Sequence, residues 1–275
     1  MTPPEIFSRS ARRRHRDRAA KHFADHAFVR EMMVEGILER LAAVRREFHD
    51  ALDLGCFDGS LDLGPGTRVA RLDAGFGFAR AAGGVQGDED RLPFADGSFD
   101  LVISAGVLDQ VNDLPGALTL VRRVLRPDGL FLGAFVGAGS LPTLRAALRA
   151  GEPDRPAARL HPQIDVRSAG DLLMRAGFAL PVADSEALDI GYGDLGRLLA
   201  DLRGSASTNV LVGRQPLGRA ALARTAAAFT TDGERAREHL SLVYLTGWAP
   251  DASQPQPARR GSATASLAAV LKKTD

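Results

Sequence analysis

The sequence contains a single cysteine, Cys56. A disulfide framework is therefore excluded, as are a zinc site built from cysteines and an iron–sulfur cluster held by several thiolates. One thiol fits a reducing compartment, the cytoplasm of a bacterium or the mitochondrial matrix of a eukaryote. No run approaches the ~20 apolar residues that span a bilayer. Charge of one sign is also lacking: 35 basic and 34 acidic residues leave a formal charge of +1, so nothing argues for a nucleic-acid polymer as partner. No internal repeat is visible. The dinucleotide-binding pattern G-x-G-x-x-G is absent, which counts against a nicotinamide-dependent oxidoreductase.

What is present is ordinary for a globular enzyme. The 275 residues, 45% hydrophobic and 25% charged, suit one large α/β domain with extensions. Arg12-Arg13-Arg14, Arg16 and Arg18 form a dense basic run. It reads as a solvated helix face, or as a docking surface for an acidic partner or membrane headgroups. Transit peptides are also Arg-rich, but Glu5, Asp17 and Asp25 interrupt this run, so it reads as mature protein.

Residues 10–46 carry apolar residues at helical spacing, which predicts two helices broken near Asp25–Phe28. Strand-and-turn units follow: Asp50–Leu54, Arg68–Asp73 and the near-continuous apolar run Phe99–Ser104. An amphipathic helix spans Asp113–Leu125, stopped by Pro127-Asp128-Gly129, and Leu130–Val136 reads as another strand. The second half holds a helix at Ser168–Ala176, a strand within Phe178–Ile190, helices at Asp194–Leu202 and Leu217–Phe229, and a strand at Leu240–Trp248. Such alternation predicts a doubly wound α/β sheet, mostly parallel, seven-stranded and Rossmann-like. The implied organisation is a helical cap over 1–48, the sheet domain over 49–250, and a linker and tail over 251–275.

The most informative stretch is Ala51-Leu-Asp-Leu-Gly-Cys-Phe-Asp-Gly59. A strand ends in an acid and a turn with Gly55 and Gly59 follows, which lets backbone pass close to a ligand. Asp73 ends the next strand, placed to accept from both hydroxyls of a ribose. The cluster Asp88-Glu89-Asp90 precedes the strand that begins at Phe99; an acid there could accept the amino hydrogen of adenine. Each feature alone is compatible with an ordinary turn. Their order, each just after a strand, favours a nucleoside-type cofactor.

These motifs, with Ser98-Phe-Asp-Leu-Val102 and Leu125-Arg-Pro-Asp-Gly129, resemble the class I S-adenosylmethionine-dependent methyltransferases. Asn112-Asp-Leu-Pro-Gly-Ala117, Arg175-Ala-Gly-Phe178, Thr246-Gly-Trp248 and Arg260-Gly-Ser-Ala-Thr264 are similar to the family of respiratory complex I assembly factor five, regarded as arginine hydroxylases. The carrier-protein methyltransferases of biotin synthesis share several of the same motifs. The resemblance implies S-adenosylmethionine as cofactor, held by Asp53, Gly55, Cys56, Gly59, Asp73, Ala74, Asp88 and Glu89, with Ser104 and Ala105 beneath its methionyl part. It also implies a protein substrate or client, such as a subunit of a respiratory complex. Two departures stand out. Phe57 replaces a glycine or small residue of the family's turn, and the crossover from Gly59 to the second strand is too short for a full helix.

Methyl transfer needs a base only when the nucleophile arrives protonated. Asp109, just past a strand tip, is the candidate, although an ordinary loop acid is the plainer reading; Tyr192 and Arg145 are further residues that could face a substrate. Hydroxylation commonly uses iron held by two histidines and a carboxylate. No assembled signature of that kind stands out. His22 and His26 share a helix face near Asp25, which a solvated surface explains as well, and no metal is expected. A different class of reading is a non-enzymatic assembly chaperone whose basic helix and tail, Arg259–Ser266, grip a client.

Overall fold

A computed structural model describes residues 5–154, 157–229 and 235–255. Helix α1 (Arg9–Ala19) starts where the Ser8 hydroxyl accepts from the Ala11 amide. A 3-10 turn, Phe23–His26, separates it from α2 (Phe28–Ala42), the break expected near that position.

Seven strands form one sheet: β1 (Asp50–Leu54), β2 (Arg68–Asp73), β3 (Val85–Gln86), β4 (Phe99–Ala105), β5 (Leu125–Val136), β6 (Ala179–Tyr192) and β7 (Ala236–Trp248). Their spatial order is β3-β2-β1-β4-β5-β7-β6. The first five strands run parallel, while β7 runs antiparallel between β5 and β6. Order reverses between β1 and β4, which is where an open α/β sheet leaves a crevice at its carboxyl edge.

The remaining helices are α3 (Phe76–Ala81), α4 (Leu114–Val124), α5 (Pro142–Gly151), α6 (Val166–Arg175), α7 (Leu195–Gly204) and α8 (Arg219–Ala228). Both faces of the sheet are buried, as period-two alternation requires. Leu52, Leu54, Val102 and Phe131 pack with Leu118 and Val121 of α4 and Leu173 of α6. Ala51, Leu101, Ile103 and Leu132 pack on the other side, with Met33 and Ile37 of α2. Asp53 therefore falls on the α2 side of β1.

The crossover from β1 to β2 carries no helix, in keeping with its shortness: the chain crosses in turns, because Gly59, Gly64 and Gly66 leave no helical run. One expectation about the sheet needs correction. The Pro127–Gly129 segment lies within β5 rather than ahead of it: α4 passes straight into the strand at Leu125, and Asp128 adopts φ 58° in a shift of register against β4. Short α3, the two-residue β3 and the whole of α5 had no reading in the sequence. Motifs from Pro257 onward, including Arg260–Thr264 and Leu267, Val270 and Leu271, lie outside the described residues.

Candidate functional site

The carboxyl ends of β1 and β2 and the turn beyond β3 present the acids in the expected order. Asp53, Asp73 and Glu89 are wholly buried, and Asp88 nearly so. Two arginine side chains are buried with them: Arg16 of α1 is 1% exposed and Arg12 is 5% exposed.

Arg16 lies bidentate on Asp73. Its Nε donates to Oδ1 at 2.7 Å and its Nη2 donates to Oδ2. Two backbone amides complete the set, Gly75 N to Oδ1 at 2.7 Å and Phe57 N to Oδ2 at 3.0 Å. One turn earlier, Arg12 Nη1 and Nη2 donate to the two oxygens of Glu89 at 2.6 and 2.7 Å. Arg13 donates to Asp88 at 2.7 Å, and Arg9 forms a two-pronged pair with Asp90 at 2.7 Å for each bond. Residues 9, 12, 13 and 16 occupy one helix face. The basic run is therefore not a solvated face: that half points inward, while Arg14 and Arg18 remain exposed. The reason is electrostatic, since a cluster of buried carboxylates needs cations close by. Beside Glu89, the Arg12 guanidinium is held charged more firmly than usual, despite the opposing cost of burial.

Asp53 is the exception. Neither of its oxygens has a hydrogen-bond partner among the described residues. The Arg30 guanidinium of α2 stands 3.7 Å away. Burial pushes the Asp53 carboxyl up to about 6, opposed by Arg30 and Arg71. Arg30 itself is committed elsewhere, donating to the Cys56 carbonyl at 3.3 Å and to Ser60 at 3.1 Å.

The β1 turn is tightly built. Gly55 has φ 81°, and a Cβ there would come within 2.5 Å of Val107. Gly59 N donates to the Cys56 carbonyl at 2.9 Å. The Cys56 thiol is buried and pushed up to about 12, chiefly by burial, so it stays protonated. Phe57 adopts φ 49°, unusual for a bulky residue. Its ring stacks on Phe23 at 4.7 Å, meets Phe78 edge-on at 5.2 Å, and carries the Arg16 guanidinium 4.1 Å from its centroid. Ser104 donates to the Leu54 carbonyl at 2.9 Å, tying β4 to β1, and Ala74 and Ala105 are fully buried.

A cavity of 360 Å³ opens beside this hollow. Phe57, Gly106 and Asp109 lie at the strand-tip end, and α2, α5, α7 and the ends of β5, β6 and β7 supply mostly apolar walls. The Asp109 carboxyl is pushed up to about 6 by burial, partly offset by a backbone hydrogen bond and by Arg12 and Arg16. Tyr192 lines this cavity. Arg145 does not; it points aside and donates to Gln163 at 2.9 Å. His26 also lines the cavity and bonds to Asp201 at 2.8 Å. His15 and Asp17 stand in a His-x-Asp spacing but part company: His15 bonds to Thr208 at 2.8 Å, and Asp17 accepts from Gly77 N at 2.9 Å. Among the described residues no group of three or more His, Cys, Asp or Glu is placed to hold a metal.

The carboxylate set fits a nucleoside cofactor: its acids stand in sequence along the strand tips, and Asp53 is an orphaned buried anion suited to an ammonium group. The space does not fit one while α1 sits as it does, because Arg16 and Phe57 fill the hollow above Asp73. Arg12, Arg16, Arg30 and Phe23 are the participants that reading the sequence missed. The i, i+3, i+4, i+7 spacing of residues 9, 12, 13 and 16 was the available signal.

This strand order, with acids at the tips of the first parallel strands, defines the class I methyltransferase architecture. Residues 52–133 match the model of a methyltransferase domain. The chain is 32% identical to the arginine-hydroxylase NDUFAF5 of Danio rerio, covering 97% of this chain and 90% of that protein. It is equally 32% identical to a malonyl-[acyl-carrier protein] O-methyltransferase of Methylovorus, covering 92% and 93%. In fold it resembles the YcgJ protein of Bacillus subtilis, with a TM-score of 0.56, 19% identity, and coverage of 80% and 99%. The chain belongs to the class I S-adenosylmethionine-dependent methyltransferase family, close to the NDUFAF5 proteins.

Proposed function

We propose that this protein transfers a methyl group from S-adenosylmethionine to a protein-borne nucleophile that enters the 360 Å³ cavity. The observation that carries the reading is the position of Asp109. It stands in the wall of a largely apolar cavity, at the end nearest the cofactor hollow.

Bound S-adenosylmethionine supplies an electrophilic methyl group on a sulfonium. Asp73 would accept from the ribose hydroxyls, Asp88 and Glu89 would face the adenine, and Asp53 would face the ammonium. The apolar walls exclude water and orient the acceptor. Asp109, poised near neutrality, would take the proton of the attacking amine or hydroxyl as its lone pair bonds the methyl carbon, while the carbon–sulfur pair leaves on sulfur as the neutral thioether of S-adenosylhomocysteine. An acceptor that arrives already ionised, such as a carboxylate, would be repelled by Asp109.

A second reading is hydroxylation of an arginine on a protein client, favoured by the likeness to NDUFAF5 over 97% of the chain. One experiment separates the two. Purified protein is incubated with isotopically labelled S-adenosylmethionine and a lysate, and modified proteins are identified by mass. A labelled methyl group on a protein supports the proposal. An added oxygen without label supports the second reading and contradicts the first.

A further inference from the structure

We infer that α1 is an internal ligand of the cofactor site, so that docking of α1 and binding of the cofactor are mutually exclusive. This rests on the cofactor reading above and adds a device to it.

The first argument is saturation. A carboxylate offers about four lone-pair positions. Asp73 already uses them on Arg16 Nε, Arg16 Nη2, Gly75 N and Phe57 N. Nothing remains for the hydroxyls of a ribose until Arg16 withdraws. The second argument is access. Asp73 and Glu89 have no exposed surface, and the groups covering them are Arg16 and Arg12.

The third argument is that the docked position is written into the sequence rather than being an incidental contact. Glycines admit α1 against the start of α3. A Cβ at Gly75 would come within 2.6 Å of Arg16 Cβ, and one at Gly77 would meet Ala20 Cβ at 3.1 Å. The Asp17 carboxylate satisfies the Gly77 amide at the first turn of α3. Ahead of α1 the chain is pinned as well: Asn112 Oδ1 accepts from the Ile6 and Phe7 amides at 2.8 Å each, and Asn112 Nδ2 donates to the Phe7 carbonyl at 2.9 Å.

Such a latch can open. A buried ion pair gains little over its two partners in water, because the desolvation cost offsets most of the attraction. A ligand that restores partners to the carboxylates can therefore compete with the arginines. The affinity then observed is the intrinsic affinity reduced by the fraction of molecules with α1 displaced. Phe23, just beyond α1, stacks on Phe57 and lines the 360 Å³ cavity. Release of α1 thus loosens the wall of the substrate cavity together with the cofactor hollow.

The test uses S-adenosylhomocysteine and the full chain. Hydrogen exchange followed by mass spectrometry should show residues 9–19 exchanging faster at saturating ligand. Slower exchange there, as when a helix closes over its ligand, overturns the latch while leaving the cofactor reading intact. By calorimetry, Arg16→Gln should bind S-adenosylhomocysteine about tenfold tighter or more, since the docked state is weakened. Equal or weaker binding by a folded variant overturns the latch. Binding to neither protein overturns the latch and the cofactor reading together. Should Arg16→Gln fail to fold, the half-exposed Arg13→Ala replaces it, with a smaller gain in the same direction.

Discussion

Arg12 and Glu89, 77 positions apart, close on each other through two parallel hydrogen bonds of 2.6 and 2.7 Å, with both side chains almost wholly out of water. Removing one charge strands the other in a poorly solvated place. Glu89→Gln should lower unfolding stability by about 3–5 kcal/mol, whereas replacing both partners with apolar residues of similar volume should restore most of the loss. Urea unfolding of the single and paired variants checks this.

Asp53 gives a pH prediction. Its folded value, about 6, lies above the ordinary carboxylate range near ~3.9. Between those values the folded chain holds a proton that the unfolded chain has released. This residue therefore costs stability as pH rises through the window, and the cost persists above it. Asp53→Asn should be more stable than the natural protein at about pH 7 and close to it at about pH 4. A stability difference that shrinks with rising pH would contradict the assignment.

Asp109 should control the chemical step. The rate at saturating cofactor should climb as pH passes about 6, where the carboxyl loses its proton. Asp109→Asn should lose about 10²–10⁴-fold in turnover and flatten that climb, with little change in affinity for S-adenosylhomocysteine. A variant retaining full turnover at neutral pH would remove Asp109 from the mechanism.

Phe57→Gly sets two effects against each other. Glycine accepts φ 49° readily and relieves strain of about 1 kcal/mol. Losing a ring packed on Phe23, Phe78 and Arg16 costs about 3–5 kcal/mol. Thermal unfolding should therefore move down. Calorimetry should show tighter binding of S-adenosylhomocysteine, because the hollow has been emptied.

The sheet was largely legible in the sequence because buried strands announce themselves. Asp50–Leu54 and Arg68–Asp73 are strands with the bounds that their patterns predict, and Phe99–Ser104 falls one residue short of its strand. Asp53 and Asp73 were legible for the same reason, since each stands at the end of a strand ahead of a turn, whereas Asp88 and Glu89 follow β3, which the pattern did not reveal. The partners of those acids were not. Whether an arginine on an amphipathic helix faces water or a carboxylate 57 or 77 residues away depends on where the helix docks. Charge alone favours the solvated reading. The missed helix α5 starts at Pro142, after Leu141 in a left-handed conformation without a side-chain cap, so the proline at its first position is its one start signal.

The most direct measurement is a crystal structure of the full chain with S-adenosylhomocysteine. It should show the ribose hydroxyls on Asp73, the ammonium near Asp53, and Arg16 withdrawn from its present place. A bound ligand elsewhere on the molecule, with the Arg16–Asp73 pair intact, would contradict the account.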